Sequence, residues 1–262
     1  MSVMNGFASE LQSRILGLVP HVTLAPKQGT LVDWQVELPQ AVEQVAPIGR
    51  APFLEEQVLM AGWGRQRGVQ LTGIDLPAQQ QVNSLHKHIV DGELSRLTHE
   101  PFTVTLGAGL ARMLGVTVGD DVDVTLPTLA ITPLGIFPRT KRLRIVALFQ
   151  VGADLDTRQA YVSLRTAQRL FAQRGVDGVQ LGFRSAAEAE HAADSLREVL
   201  SEHWQVSDWR SSQGSLFAAV RMEKVTVSLL LLAVVVVAAF NIVSTLTMAV
   251  TEKRRDIAVL RV

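Results

Sequence analysis

The sequence contains no cysteine. That absence excludes a disulfide framework, a thiolate zinc site, a thiol nucleophile and a lipid-modified cysteine within this chain. Net charge is missing too. The 25 Lys and Arg residues balance 25 Asp and Glu, which removes the basic footprint that a nucleic-acid partner requires. Charged residues make up 19% of the 262, below the usual share of about a quarter, and mean hydropathy is +0.21. The opening MSVMNGFASELQSRILGLVP lacks the basic start and unbroken apolar stretch of a signal peptide, because Glu10 and Arg14 interrupt it. Phe7, Leu11, Ile15 and Leu18 instead share one face of an expected amphipathic helix that Pro20 ends.

Signatures of catalysis are lacking as well. No GK[ST] tripeptide closes a phosphate-cradling loop. The Gly107-Ala108-Gly109 turn has Arg112 where a dinucleotide fingerprint needs its third glycine. Six histidines are scattered without an HExxH pair, and His86 and His88, two apart, read as a surface pair. No GxSxG elbow presents a serine. The chain is therefore read as non-enzymatic, with no catalytic residue, metal ligand or cofactor of its own.

What the sequence does carry is concentrated at its C-terminal end. Val225–Val250 runs for 26 residues without a charge, and only Thr226, Ser228, Asn241, Ser244, Thr245 and Thr247 are polar. As a helix it is about 39 Å long, enough to cross a hydrocarbon core of about 30 Å. Lys253, Arg254 and Arg255 follow it, which favours a cytoplasmic C-terminus. A polar domain that precedes a membrane span without a leader implies an upstream anchor, so the chain reads as a segment of a larger protein.

The centre reads as α+β. Strands are expected at His21–Leu24, Leu31–Leu38, Glu55–Met60, Val69–Ile74, Phe102–Leu106, Asp121–Leu126, Leu143–Phe149, Ala160–Ser163, Gly178–Phe183 and Gln205–Trp209. Helices are expected near Pro39–Val45, Gln79–Ser84, Gly109–Leu114, Leu164–Gln173 and Ala186–His203. Between Leu106 and Val124, Gly107 and Gly109 open a short helix, Gly115 supplies a left-handed C-cap, and Gly119-Asp120 turns into the next strand.

Pro127-Thr-Leu-Ala-Ile-Thr-Pro-Leu-Gly-Ile-Phe-Pro138 stands between two of those strands. Its three prolines and one glycine are expected to break any ladder. Its apolar side chains on a stiffened backbone suit either a grip on a partner or a fold back onto the domain. Arg139, Lys141, Arg142 and Arg144 follow directly. An apolar prong beside a basic pad suits a hydrophobic partner with an acidic rim.

The 106–124 corner resembles the extracytoplasmic domain of FtsX/MacB-type ABC-transporter membrane subunits. The joint order of SVMNGF, ILGLVPH, ITPLGIFP, the run from Asp208-Trp209-Arg210 to Met222-Glu223-Lys224, and Phe240-Asn241-Ile242 resembles the LolC/LolE family over essentially the whole chain. The resemblance implies a MacB-like periplasmic domain of mixed sheets and short helices, attached to transmembrane helices in the bacterial inner membrane. Residues 1–5 would end a first span and 6–222 form the periplasmic domain, with a hook at 127–138. Residues 225–250 would be a second span and 251–262 begin a cytoplasmic coupling segment, with further spans expected beyond.

Implied partners are a second LolC/LolE-type subunit, a dimer of a separate ATPase that binds ATP and Mg, membrane lipid, lipoprotein cargo and a soluble periplasmic chaperone, LolA. Nucleic acid is not among them. Residue by residue, Val3 and Met4 match positions that line the lipoprotein-binding cavity. Pro127, Ile131, Thr132, Pro133, Leu134, Gly135, Phe137 and Pro138 match the chaperone-gripping hook. Arg142 roughly matches a basic pad position. Asp123 stands where a pad arginine is expected, so Arg139 and Lys141 would rebuild the pad. Asp256, Ile257, Leu260 and Arg261 match the ATPase-coupling segment. The hook is of the LolC type and the tail closer to LolE, which leaves LolC type, LolE type or a homodimeric hybrid open. A MacB-like efflux subunit and an FtsX-like signalling subunit are the remaining alternatives.

Overall fold

A computed structural model describes residues 21–132, 135–151 and 155–259, with side chains described except at 128–137, 186, 209–221, 223–224 and 251–259. The expected amphipathic helix at the N-terminus lies outside the described residues. The chain divides into two units, up to Ser211 and from Ser212 onward, and each is described by itself.

Ten strands of the first unit form one mixed sheet: β1 (Val22–Pro26), β2 (Gly49–Gly62), β3 (Arg65–Ile74), β4 (Ile89–Gly92), β5 (Thr103–Gly107), β6 (Asp121–Thr132), β7 (Gly135–Phe149), β8 (Gln159–Ser163), β9 (Gly178–Gly182) and β10 (Trp204–Asp208). The helices longer than one turn are α1 (Leu76–Val82), α2 (Ala108–Leu114), α3 (Leu164–Phe171), α4 (Ala186–Val199) and α5 (Trp209–Val259). Single helical turns stand at Trp34–Glu37, Ala41–Gln44, Arg96–His99 and Leu155–Arg158.

The sheet has a closed half and an open half that share β2. In the closed half, β2 pairs with β3, β3 with β8, β8 with β5, β5 with β7, β7 with β6, and β6 returns to β2. Six strands thus form a closed barrel, and β4 adds to β7 as a short end strand. Alternation fills it: Val58, Met60, Val69, Leu71, Val104, Leu106, Val122, Val124, Leu143, Ile145, Ala160 and Val162 are buried in one core with Leu110 and Leu114 of α2. Two glycines permit close approach. A Cβ at Gly73 would lie 2.2 Å from the Ala167 methyl, and one at Gly107 2.3 Å from the Asp156 carbonyl oxygen. The glycines near Ala108 therefore serve packing. Gly115 adopts φ +76° at the end of α2, as the sequence predicts.

In the open half the order continues from β2 through β9 and β1 to the edge strand β10. Val22, Leu24, Val179 and Leu181 pack there with Ala189, Ala193 and Leu196 of α4. The Ser185 hydroxyl accepts the Glu188 amide at the start of α4, an N-cap that the Ser-x-x-Glu spacing encodes.

Several expectations need correction. Leu31–Leu38 is not a strand: Leu31 makes one isolated bridge to Val176, and Trp34–Glu37 forms a helical turn. Asp33 and Glu37 produce the turn, the Glu37 carboxylate accepting the Asp33 amide at 2.7 Å. β2, β6 and β7 extend well beyond their expected ends, and β4 was absent from the expected strands. His86 and His88 lie on a 3₁₀ turn, Leu85–His88. The segment 127–138 is not a loop that breaks the ladder, as shown below.

Within α5, Val225–Val250 has a mean hydropathy of 2.7 and none of it is buried inside the protein. The Thr226 and Thr245 hydroxyls donate to the carbonyls of Met222 and Asn241 at 2.9 and 2.8 Å. Such bonds satisfy polar groups inside the helix itself, as an apolar surrounding demands.

Candidate partner-binding ribbon

The sequence of β6 alternates Asp121, Asp123 and Thr125 with Val122, Val124 and Leu126, and β7 alternates Arg144, Arg142 and Thr140 with Leu143 and Ile145. Period two sends one set into the barrel and the other to solvent. The register places Asp121 opposite Arg144, Asp123 opposite Arg142 and Thr125 opposite Thr140. All three pairs are bonded: Arg144 Nε to Asp121 Oδ1 at 3.1 Å, Arg142 Nε to Asp123 Oδ1 at 3.0 Å, and the two threonine hydroxyls at 3.0 Å. The outer face of the ribbon base is a polar ladder with its charges matched. The Asp123 carboxylate holds the Arg142 guanidinium above its ordinary pKa.

Beyond this base the pairing shifts. Thr125 faces Thr140, but Leu129 faces Pro138, so Leu126, Pro127 and Thr128 bulge against Arg139 alone. Pro127 sits in the bulge, where the ladder needs no N–H. Pairing then resumes as Leu129↔Pro138, Ala130↔Phe137, Ile131↔Ile136 and Thr132↔Gly135. β2 pairs with β6 only from Asp123 to Thr125, and β5 pairs with β7 only from Arg144 onward. Among the described residues no third strand joins residues 129–132 and 135–138, which form a two-stranded ribbon beyond the barrel.

The three cations expected to form one pad are not brought together. Arg142 lies on the ladder face with Asp123. Lys141 lies on the opposite face, beside Val124 and Leu143, where the ribbon leaves the barrel. Arg139 stands at the bulge. Neither Arg139 nor Lys141 is in an ion pair among the described residues, and Lys141 is exposed. Pro127 and Pro138 are exposed as well. The side chains of Ile131, Thr132, Gly135 and Phe137, and residues Pro133 and Leu134 altogether, lie outside the described residues.

Next to the ladder, the β2–β3 hairpin turns through Trp63 and Gly64 with φ of +44° and +77°. Together with Ala61, Asp120, Asp121, Asp123 and Arg142 it lines an open cleft of about 440 Å³. Trp63 is 78% exposed, a feature that sequence reasoning missed although an aromatic between two glycines marks it. No group of three or more metal-ligating side chains occurs among the described residues. Asp256 and Ile257 fall within α5 with their side chains outside the described set, and Val3, Met4, Leu260 and Arg261 lie outside it entirely.

Residues 1–199 match the model of the MacB-like periplasmic core domain. The chain belongs to that family. Three of the curated relatives that match it from end to end show the range. It is 33% identical to the lipoprotein-releasing system transmembrane protein LolC of Xylella fastidiosa, covering 100% of this chain and 63% of that protein. It is 34% identical to LolC of Neisseria meningitidis, covering 100% and 64%. With the transmembrane protein LolE of Haemophilus influenzae it shares 28% over 100% and 64%. The chain thus spans just under two thirds of the length of the relatives it matches. Membership of this family fits a mixed α+β domain that continues into an apolar helix of membrane-spanning length.

Proposed function

We propose that the chain belongs to the membrane subunit of an ABC transporter that extracts lipoproteins from the bacterial inner membrane and hands them to a soluble periplasmic carrier. The observation that carries this reading is the ribbon of residues 129–132 and 135–138, a two-stranded extension that pairs only with itself among the described residues, in a segment of apolar sequence. Such a projection has unused surface and a fixed base, which lowers the entropic cost of gripping a partner. The end-to-end likeness to proteins named as lipoprotein-releasing transmembrane subunits supports it.

In this reading residues 6–222 stand in the periplasm, Val225–Val250 crosses the membrane, and the protein is multi-pass. Val3 and Met4 line the cavity that holds the acyl chains. Asp256, Ile257, Leu260 and Arg261 meet a separate ATPase dimer, which binds ATP and Mg, and a second LolC/LolE-type subunit completes the complex. The chain itself does no bond chemistry. ATP binding moves the coupling segment, the spans close on the acyl chains, and the periplasmic domain presses the cargo towards a carrier held by Pro127, Ile131, Thr132, Pro133, Leu134, Gly135, Phe137 and Pro138. Arg139 and Lys141 supply the free positive charge of the pad, because Arg142 is matched by Asp123.

The test is a pull-down with purified LolA. Ile131→Asp combined with Leu134→Asp places two charges on the apolar end, and carrier capture is expected to fall to background. Undiminished capture would overturn the hook assignment. Photocrosslinking from Val3 or Met4 checks the cavity: an acylated lipoprotein adduct is expected in a turning-over complex, whereas an efflux or signalling subunit gives none.

A further inference from the structure

The last strand of the first unit leads directly into α5. β10 pairs with β1 along all five residues, from Pro26↔Trp204 to Val22↔Asp208. Asp208 is the last residue before α5, which runs unbroken from Trp209 through the apolar stretch to Val259. Yet β10 is one of the two end strands of the sheet, with β1 as its one neighbour among the described residues. A strand with one neighbour has half the ladder of an interior strand and opens first under load.

One side chain counters that weakness. Arg197, on the last turn of α4, reaches across to β10. Its Nη2 lies 3.1 Å from Asp208 Oδ2, its Nε donates to the Val206 carbonyl oxygen at 3.4 Å, and its Nη1 meets Asp194 at 2.7 Å. The Asp208 side chain is 2% exposed. A carboxylate so buried is tolerated only when it is paired, and Arg197 is one of its partners. Arg197 is itself anchored, because Ala189, Ala193 and Leu196 of the same helix pack into the core with β1 and β9.

We propose that Arg197 and Asp208 form a clamp that keeps the edge strand zipped to β1, so that movement of α5 reaches the sheet as a displacement and is not lost in fraying of β10. Arg197 is a positioning residue in this scheme, and the scheme rests on the transport reading above. Thr23 and Ser207 are register partners on the face opposite Val22 and Asp208, and both are partly exposed. These 262 residues contain no cysteine, so within them Thr23→Cys with Ser207→Cys adds one cysteine pair, a reversible strap across the same two strands.

The experiment uses the full-length subunit with its ATPase in proteoliposomes. Arg197→Met is compared with Arg197→Met/Asp208→Asn, which removes the buried charge as well if the single variant folds poorly. Hydrogen exchange at 204–208 is expected to accelerate by about tenfold or more, ATP-driven lipoprotein release to fall by about tenfold, and ATP hydrolysis to continue. Oxidising the strap restores protection and release, and reductant removes both. Unchanged exchange in both variants overturns the clamp, as does release at the parental rate, or protection restored without release. A parental complex that releases no lipoprotein overturns the transport reading instead, and the clamp is then decided by exchange alone.

Discussion

The two halves of the sheet share β2 and differ in how they end. The closed half returns on itself through β6, so each of its six strands has neighbours on both sides. The open half runs out at β10, which has one. Closure removes edges and fixes geometry. An open edge leaves a strand that another element can load. The ribbon projects from the closed half and the chain leaves for α5 from the open one. The closed half therefore carries the candidate partner grip, and the half that ends at β10 leads into α5.

The largest expected effect tests that contrast directly. Leu106 is fully buried in the barrel, and Leu106→Ala is expected to cost about 2–5 kcal/mol in urea unfolding. Val206, half-buried on the edge strand, is expected to cost under about 1.5 kcal/mol as Val206→Ala. Equal costs would mean that the open half is as tightly integrated as the barrel. Next in size is carrier binding. Arg139→Ala/Lys141→Ala is expected to weaken it by about tenfold, with a steep salt dependence, and Arg142→Ala by under about twofold. A larger loss from Arg142 than from the other pair would return the pad to the ladder face.

Much of the barrel was legible because alternation of Val, Leu and Ile marks strands whichever way they pair. Closure was not, since it depends on β6 meeting β2 across about 60 intervening residues, and nothing local encodes it. Leu31–Leu38 misled because LVDWQVEL alternates well enough for a strand, while the Glu37 carboxylate reaches back to accept the Asp33 amide and closes a helical turn. The prolines of 127–138 suggested a broken ladder, but a bulge absorbs Pro127, and a ribbon with open edges tolerates a missing N–H where an interior strand would not. The basic cluster was visible as composition. That Asp121 and Asp123 answer half of it across the ladder follows only from register, which a count of charges cannot supply.

A smaller effect is expected at the barrel's own hairpin. Trp63 takes the first central position of a two-residue turn with φ +44°, where bulky residues are strained and asparagine is favoured. Trp63→Asn is therefore expected to raise stability by about 0.5–1 kcal/mol in the same urea assay. A loss of carrier binding with that gain would show that the barrel end takes part in recognition beside the ribbon, and would blur the division between platform and grip.

The smallest effect concerns the ladder at the ribbon base. Arg142 and Asp123 are 69% and 44% exposed in their side chains, so water and salt screen their attraction. A double-mutant cycle of Asp123→Ala and Arg142→Ala is expected to give a coupling of about 0.2–1 kcal/mol, shrinking as ionic strength rises. The pair then contributes little to the barrel's stability, and its consequence is electrostatic: it removes one cation from the pad. Asp123→Ala alone should accordingly expose that charge and strengthen carrier binding at low salt, with the gain lost in Asp123→Ala/Arg142→Ala. If Asp123→Ala weakens binding instead, the ladder acts by holding the ribbon's direction, and the closed half contributes geometry to the grip through this pair as well as through its core.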